Sequence, residues 1–457
     1  MFIYALQVSL ALGCQLRKCF GYPADIEITS VSTDTRTIKP NSVFVALKGA
    51  NFDGHDYGAK ACELGAEAVI AERAIEGAKC IVVDSTERAL LTLAAYYRRK
   101  FDIPLVGITG SVGKTTTKDM IALVVSKKYN TLKTEGNHNN EIGLPLTLFN
   151  LSSETQAAVI EMGMSHFGEI SRLSMCCEPT VAVITNIGHS HIENLGSQQG
   201  ILKAKMEILD GAQYMAPLIL SMDDKLLSHI EAHHGREIIF YSIKKKTADV
   251  YAADIKADEN GSSFTIHYKD GSIPARVNCP GEHNVKNALA AFCVGRVLDI
   301  APELIAEAIG EFKPQGIRQN IRQARGMTFI VDCYNAAPDS IKAALSTLSQ
   351  SSCGEGGRRV AVLSDMLELG KHSRTLHKLA GEYVAASSAD LLYCCGAEAK
   401  FYVDGAVKKG MPEENCRWFE SKADMTAALK AELHEGDTVL FKASRGMKLE
   451  EVVNALE

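Results

Sequence analysis

The chain reads as an α/β protein of three domains, and three observations predict this. Short β-branched runs alternate with helix-like stretches over most of its length. Its 457 residues exceed what one hydrophobic core holds and suit about three domains. At residues 103–118 an apolar run, a glycine-rich turn and a helical pattern follow one another, the last two as GITGSVGKTTTK. The expected architecture is a small α/β domain over residues 1–100, a central mostly parallel P-loop sheet over 101–315, and a doubly wound Rossmann-like domain over 316–457.

The elements follow in order. Residues 2–16 are apolar but carry Gln7 and Gln15 and lack a basic leader, so they predict an amphipathic helix and no signal peptide. Short apolar segments at 42–47 and 68–71 precede a helical pattern at 86–100, which ends in the charged Arg98-Arg99-Lys100. In the second block, strands are expected at 103–106, 157–162, 180–186, 218–222 and 238–242, with a β-rich stretch at 248–277 and helices at 284–298 and 302–312. The third block predicts strands at 328–333, 359–364, 391–395 and 438–442. No run is long and apolar enough to span a bilayer.

Composition excludes more than it assigns. A formal net charge of −6 with interspersed signs gives no electrostatic case for nucleic acid or an anionic membrane. The thirteen cysteines are odd in number and scattered, include the adjacent pairs Cys176/Cys177 and Cys394/Cys395, and form no CxxC spacing. Reduced thiols in the cytoplasm are the expectation.

The glycine-rich turn carries the first chemistry. Backbone N–H groups of Gly110, Ser111, Val112 and Gly113 are free to approach phosphate oxygens, Lys114 supplies a cation, and the Thr115 hydroxyl suits Mg2+, with Thr116 following in the same turn. Ile108 stands where the strict GxxxxGK[ST] pattern begins with glycine, and an ordinary Gly-rich βα turn is the competing reading. Glu161 ends the run AAVI, where a carboxylate at a sheet's carboxyl edge suits a hard cation; a solvated strand end is the alternative. The segment TNIGHSHIENLGS delivers His189 and His191 into a loop, as ligands or as solvated side chains. Lys205 falls within an apolar helical stripe of Ile201, Leu202, Met206, Ile208 and Leu209, whereas Lys203 points away. A buried ammonium is costly unless paired or altered, or unless it snorkels to water.

The strings GITGSVGKTTTK, TEGNHNNEIGLPLTL, EMG with GEI, TNIGHSHIENLGS, AKMEI, GEHNVKNALAA, DCYNAAPDS, SDMLELG and KASRGM, in this order, resemble the Mur ligases from about Ser32 to Arg445. Within that family the pattern is most similar to the branch that adds D-alanyl-D-alanine to UDP-N-acetylmuramoyl-tripeptide. The resemblance implies an ATP-dependent carboxylate–amine ligase acting through an acyl phosphate, a cytoplasmic monomer using ATP and Mg2+ at two sites. It implies Lys114, Glu161, His191 and Lys205 as catalytic residues. Thr115, Glu161, His191 and Lys205 would serve the metals, Lys205 as a CO2-derived carbamate.

By the same resemblance Asn284 and Asn287 lie near adenine, Arg318 at the phosphates and Asp332 at the ribose. Asn137, Asn139, Asn140 and Glu141 lie near nucleotide and substrate, and Asn335, Lys442, Ser444 and Arg445 flank the acyl phosphate and dipeptide. Ser32, Thr33, Asp34, Arg36, Lys48, Asp53 and His55, within STDTR, VFVALKG and DGH, would bind the uridine nucleotide. Without the family, the Asn cluster reads as a turn, GEHNVKNALAA as a capped helix and KASRGMKLEE as a strand-to-helix turn.

The chain departs from the branch at Ala337, where a second asparagine is usual, and at Ser364 and Ala443, where glycine is usual. The sister ligase that adds a diamino acid to UDP-N-acetylmuramoyl-dipeptide is the nearest rival, but its DNPR-like and HTPD segments are absent. A folylpolyglutamate-type ligase leaves the STDTR domain without a role. From another class, a silent ATP-binding scaffold has no evident need of two metal sites.

Overall fold

The computed structural model describes the chain except residues 1–2, 5–6, 9–10, 14–17, 20–26, 232–234, 259 and 314–319. Three large sheets organise it. The first runs Lys18–Cys19, Cys80–Val82, Ala66–Ala71, Ser42–Val45, Ser30–Ser32, parallel apart from the first pair. The helix Thr86–Arg98 follows, its N-terminus capped by the Ser85 hydroxyl.

The central sheet has nine strands. From one edge these are Thr131–Lys133, Ala157–Glu161, Leu105–Thr109, Val181–Ile184, Leu218–Ser221, Ile238–Ser242 and Val250–Asp258, all parallel, then antiparallel Gly261–Tyr268 and Gly271–Val277. Parallel strands buried on both faces need helices on each side, and the inner strands from Ala157–Glu161 to Leu218–Ser221 are accordingly fully buried and mostly aliphatic. The strand Leu105–Thr109 lies further along than the apolar run 103–106 predicted, because Gly107 packs against Pro179 and Met162 and Thr109 is buried with a hydrogen bond to the Met162 carbonyl. From Leu105–Thr109 the chain crosses toward the Thr131–Lys133 edge, whereas from the neighbouring Val181–Ile184 it continues the other way to Leu218–Ser221. The carboxyl ends of these two strands are therefore a topological switch point, where open sheets bind ligands.

The third sheet runs Asn320–Ala324, Met327–Asp332, Thr438–Lys442, Arg359–Ser364, Leu391–Cys395, Cys416–Phe419, parallel except for the first strand. Thr438–Lys442 is last in sequence yet inserts beside Met327–Asp332, so this sheet too has a switch, with Asp332 and Lys442 side by side at its carboxyl edge. Together these elements form a three-domain α/β fold.

Two expectations are corrected. The helix over 2–16 does not form as a unit: Ile3–Tyr4 is a strand paired with Glu27–Ile28, and helical geometry among the described residues is confined to Gln7, Val8 and Ala11. Val8 and Leu12 are still buried four residues apart, so the periodicity was real but short, and strand pairing took the residues before it. The stripe around Lys205 is also not one α-helix, since Gln198–Met206 passes into the 3-10 turn Glu207–Leu209. The short edge strand Thr131–Lys133 and the helices Gly143–Leu148 and Glu169–Cys177 were not anticipated. No helix among the described residues is long and apolar enough to cross a membrane.

Candidate active site

The P-loop is held open by its neighbours. Gly110 has φ +154°, and a Cβ there would lie 1.9 Å from Thr185 Oγ1, so only glycine lets the loop leave the strand at this point. The Val112 N–H donates to Asn186 Oδ1 (2.9 Å), while Asn186 Nδ2 and Thr185 Oγ1 donate to the Val112 carbonyl (both 2.8 Å). Gly113, at φ +83°, precedes the helix Lys114–Val125, whose N-terminal amides carry the positive end of the helix dipole. Lys114 Nζ folds back to the Gly110 carbonyl at 2.8 Å, over the concavity where phosphate oxygens would sit.

Glu161 is buried at the end of the adjacent strand, 1% exposed. Its carboxylate accepts from Thr115 Oγ1 (2.8 Å) and Asn139 Nδ2 (2.7 Å), and its own N–H donates to Thr134 Oγ1 (3.0 Å). These donors are neutral, and a buried anion coordinated only by a hydroxyl and an amide is the oxygen-rich setting a hard cation takes. On the other side of the P-loop helix, Thr117 Oγ1 donates to Asn287 Oδ1 (3.0 Å), Asn287 Nδ2 to Asn284 Oδ1 (3.2 Å), and Asn284 Nδ2 to the Pro280 carbonyl (2.7 Å). Both asparagines are buried, and Asn287 borders the cleft above the loop.

The opposite wall belongs to the third sheet. A cleft of about 350 Å³ is shared by Gly113, Lys114 and Glu161 on one side and by Asp332, Tyr334, Asn335 and Lys442 on the other. Lys442 Nζ donates to Asp332 Oδ2 (2.7 Å) and to the Asn335 carbonyl (2.9 Å) and is almost fully buried. Ser444 turns away from the cleft and accepts the Leu367 N–H at 2.9 Å, and the exposed Arg445 guanidinium lies 5.4 Å from the Tyr334 ring centre. Ala337 lines the cleft and is buried, Ser364 donates across to the Cys395 carbonyl, and Ala443 is fully buried, so the three departures are all accommodated by the backbone.

Two histidines of the central domain meet two carboxylates of the C-terminal domain at the rim. His189 donates its N–H to Asp339 Oδ2, and its Nδ1 lies 2.9 Å from the same oxygen. His191 Nδ1 lies 2.5 Å from Glu368 Oε2, and the imidazole holds the Glu368 carboxyl below its ordinary range. Lys205 is 2% exposed and has no carboxylate partner among the described residues. Burial, with the Lys114 charge added, pushes its amine well below the ordinary lysine value, whereas Lys203 is exposed.

The remaining expectations divide. Asn139 and Asn140 border the cleft; Asn140 Oδ1 also accepts the N–H groups of Ile142 and Gly143, while Asn137 is exposed and outside the cleft lining. Glu141 pairs with Arg172. Ser32, Thr33, Asp34 and Arg36 share one turn of the first domain, where the Arg36 guanidinium brings the Asp34 carboxyl down to about 2. Lys48 and Asp53 face each other across a β-bridge, and Asp53 accepts the backbone N–H of His55 and meets its ring (2.5 Å), which together bring it down to about 2. None of these seven borders the P-loop cleft. Arg318 lies outside the described residues. Asn186, Asp339, Tyr334 and Glu368 carried no assigned role in the sequence; each sits inside a string quoted for the resemblance, and that was the signal available for finding them.

Comparison with known proteins agrees with this geometry. Residues 27–98, 108–295 and 318–445 match the models of the Mur ligase family catalytic domain, the Mur ligase middle domain and the Mur ligase glutamate ligase domain. A Bacillus subtilis (strain 168) protein named UDP-N-acetylmuramoyl-tripeptide–D-alanyl-D-alanine ligase is 40% identical over 440 residues, 94% of this chain and 93% of that one. Among solved structures, MurF from Acinetobacter baumannii superposes with a TM-score of 0.90 at 32% identity, covering 99% and 98% of the two chains. MurF from Thermotoga maritima, in complex with ADP, gives 0.82 at 29% identity, covering 93% and 96%. With three consecutive domain models matched and a P-loop cleft closed by the third domain, the chain belongs to the Mur ligase family and is an ATP-dependent ligase.

Proposed function

We propose that this ligase joins D-alanyl-D-alanine to UDP-N-acetylmuramoyl-tripeptide in the cytoplasm. The observation that carries the reading is the single cleft that puts Lys114 and Glu161 opposite Lys442 and Asn335, together with relatives of that name aligned over nearly the whole chain. The tripeptide's terminal carboxylate oxygen attacks the γ-phosphorus of ATP, the bond to the β-phosphate breaks and ADP leaves, and the acyl phosphate formed has phosphate in place of a poor leaving oxygen. The dipeptide amine then attacks the acyl carbon, the C–N bond forms, the C–O bond to phosphate breaks, and the amine loses a proton.

Negative charge gathers at both steps, so positioned cations and dipoles carry the catalysis, without a protein nucleophile. Lys114 and the amides of Gly113 and of the helix N-terminus it opens hold the phosphates, whereas the Ser111 and Val112 N–H groups, expected from the sequence to be free, are taken by the Asn186 carbonyl and Oδ1; Asn284 and Asn287 face the nucleotide's other end. Thr115 and Glu161 would hold one Mg2+, which when bound supplies Lewis-acid charge neutralisation; His191 and Lys205 would serve a second. Burial disfavours the ammonium form of Lys205, so its amine is suited to add to CO2, forming an N–C bond and releasing a proton, which leaves a carbamate anion in place of the amine. Asp332, Asn335, Lys442, Ser444 and Arg445 would handle ribose, acyl phosphate and dipeptide. Residues Ser32 to His55 of the first domain would bind the uridine nucleotide.

The test is ATP-dependent phosphate release with the UDP-tripeptide, with and without D-alanyl-D-alanine, beside a parallel pair of UDP-dipeptide and diamino acid. Release requiring both members of the first pair, with a pentapeptide product by mass, is expected. Release only with the second pair would make this the sister ligase. ATP binding with no release from either pair would point to a silent scaffold.

A further inference from the structure

Glu368 occupies an unusual position for a residue with an ordinary turn role. Its backbone is left-handed at φ +61°, a conformation a glycine adopts without strain, and the residue it faces, His191, is also left-handed at φ +62°. Glu368 reaches across the domain boundary twice. Its Oε2 lies 2.5 Å from His191 Nδ1, a buried ring nitrogen that has no aligned hydrogen bond among the described residues, and its carbonyl accepts the Glu193 N–H at 3.3 Å.

The loop that presents Glu368 is fixed from behind. The Met366 N–H donates to His377 Nε2 (3.0 Å), the Leu367 N–H donates to Ser444 Oγ (2.9 Å), and the Ser444 N–H donates to the Asp365 carbonyl (3.3 Å). His377 Nδ1 in turn meets the Ser373 carbonyl at 2.9 Å, so His377 is the Nδ1–H tautomer and Nε2 is free to accept. A strained backbone, locked by buried partners, thus aims one carboxylate at one imidazole.

We propose that Glu368 is a positioning residue for His191. When the C-terminal domain docks, its carboxylate accepts the Nδ1–H of His191, which fixes the ring's tautomer and leaves Nε2 as the ring nitrogen available on the cleft wall. A carboxylate behind a functional histidine commonly sets tautomer and orientation. Here it comes from a different domain, so the histidine is correctly set only in the docked arrangement. The proposal rests on the role assigned to His191 above, but its structural core does not require that role.

Two measurements decide it. In protein with 15N-labelled histidine, closed with a non-hydrolysable ATP analogue at pH 8, long-range 1H–15N correlation should show His191 as the Nδ1–H tautomer, and Glu368→Gln should convert it to a mixture or to Nε2–H. In ligation assays, Glu368→Gln should lower kcat about 10- to 100-fold with a smaller change in KM for ATP. In a His191→Ala background the same substitution should have little further effect.

Glu368→Gly, which relaxes the left-handed backbone, should melt at the same or a higher temperature yet share the kcat loss. An unchanged His191 tautomer, or effects of Glu368 and His191 that multiply independently, would overturn the proposal. If neither substrate pair supports ligation, the functional reading fails while the spectra still decide the pairing.

Discussion

The two junctions of this molecule are built from opposite materials. Where the first domain meets the central one, Arg98 is 3% exposed and donates to the carbonyls of Cys177 (2.9 Å), Phe101 (2.5 Å) and Ile103 (3.2 Å). Tyr97 beside it is fully buried, stacks edge-on against Phe101 and donates to the Leu151 carbonyl at 2.8 Å. Where the central domain meets the third, the named polar contacts are carboxylates on histidines at the rim of a cleft, with side chains of Asp339 and Glu368 37% and 53% exposed. Separating the first junction would break the buried bonds of Arg98 to the Cys177 carbonyl and of Tyr97 to the Leu151 carbonyl and expose the apolar side chains packed around them. Separating the second returns exposed carboxylates to water at little cost. The first junction is therefore the costlier one to separate and the second the cheaper, which suits a site that must admit ATP and then exclude water.

The sharpest way to break this comparison is Arg98→Met. It should lower unfolding free energy by about 1–3 kcal/mol, the cost of leaving buried carbonyls without their donor, measured by urea unfolding, with ATP affinity unchanged within about twofold. A loss below about 1 kcal/mol would mean the junction is not held as described. Tyr97→Phe removes only one donor and should cost about 1–2 kcal/mol for the unpaired Leu151 carbonyl.

At the other junction, Asp339→Ala should leave unfolding nearly unchanged. It should weaken domain closure by about 1 kcal/mol, roughly fivefold, read from distances between fluorophores on the central and third domains with a non-hydrolysable ATP analogue. Unchanged closure would show that His189 and Asp339 merely touch.

The smallest effect is on pH. Burial holds His377 below its ordinary value of 6.5. Its neutral Nε2 accepts the Met366 N–H that steadies the Glu368 loop. A histidine with a depressed native value contributes stability that is present above 6.5 and is lost as pH falls through that lower value, because the unfolded chain takes up the proton first. Unfolding free energy should therefore fall between pH 7 and 5, and His377→Gln should flatten that part of the curve.

Much of the site was visible in local spacing. The turn GITGSVGK had to follow a strand and open a helix, Glu161 had to end the next strand, and Lys205 had to fall among apolar neighbours, since each follows from period and composition over a few residues. The rim was not visible. Nothing near His191 in sequence announces Glu368, and nothing near Val112 announces Asn186, because these contacts are made by chain segments that only topology brings together. The N-terminal strand Ile3–Tyr4 escaped for the same reason, its partner Glu27–Ile28 being distant in sequence.

By itself, then, the sequence determined the alternation of strands and helices, the phosphate loop and its lysine, and the family, because these are written in short-range hydrophobic period, glycine placement and ordered motifs. Only the tertiary structure decided which strand inserts beside Met327–Asp332, that Lys442 neutralises Asp332, and that one junction is buried while the other is a clasp of carboxylates on histidines. The reason is physical: hydrogen bonds and ion pairs depend on distance in space, and residues far apart in the chain come within 3 Å only after every sheet has closed on its core.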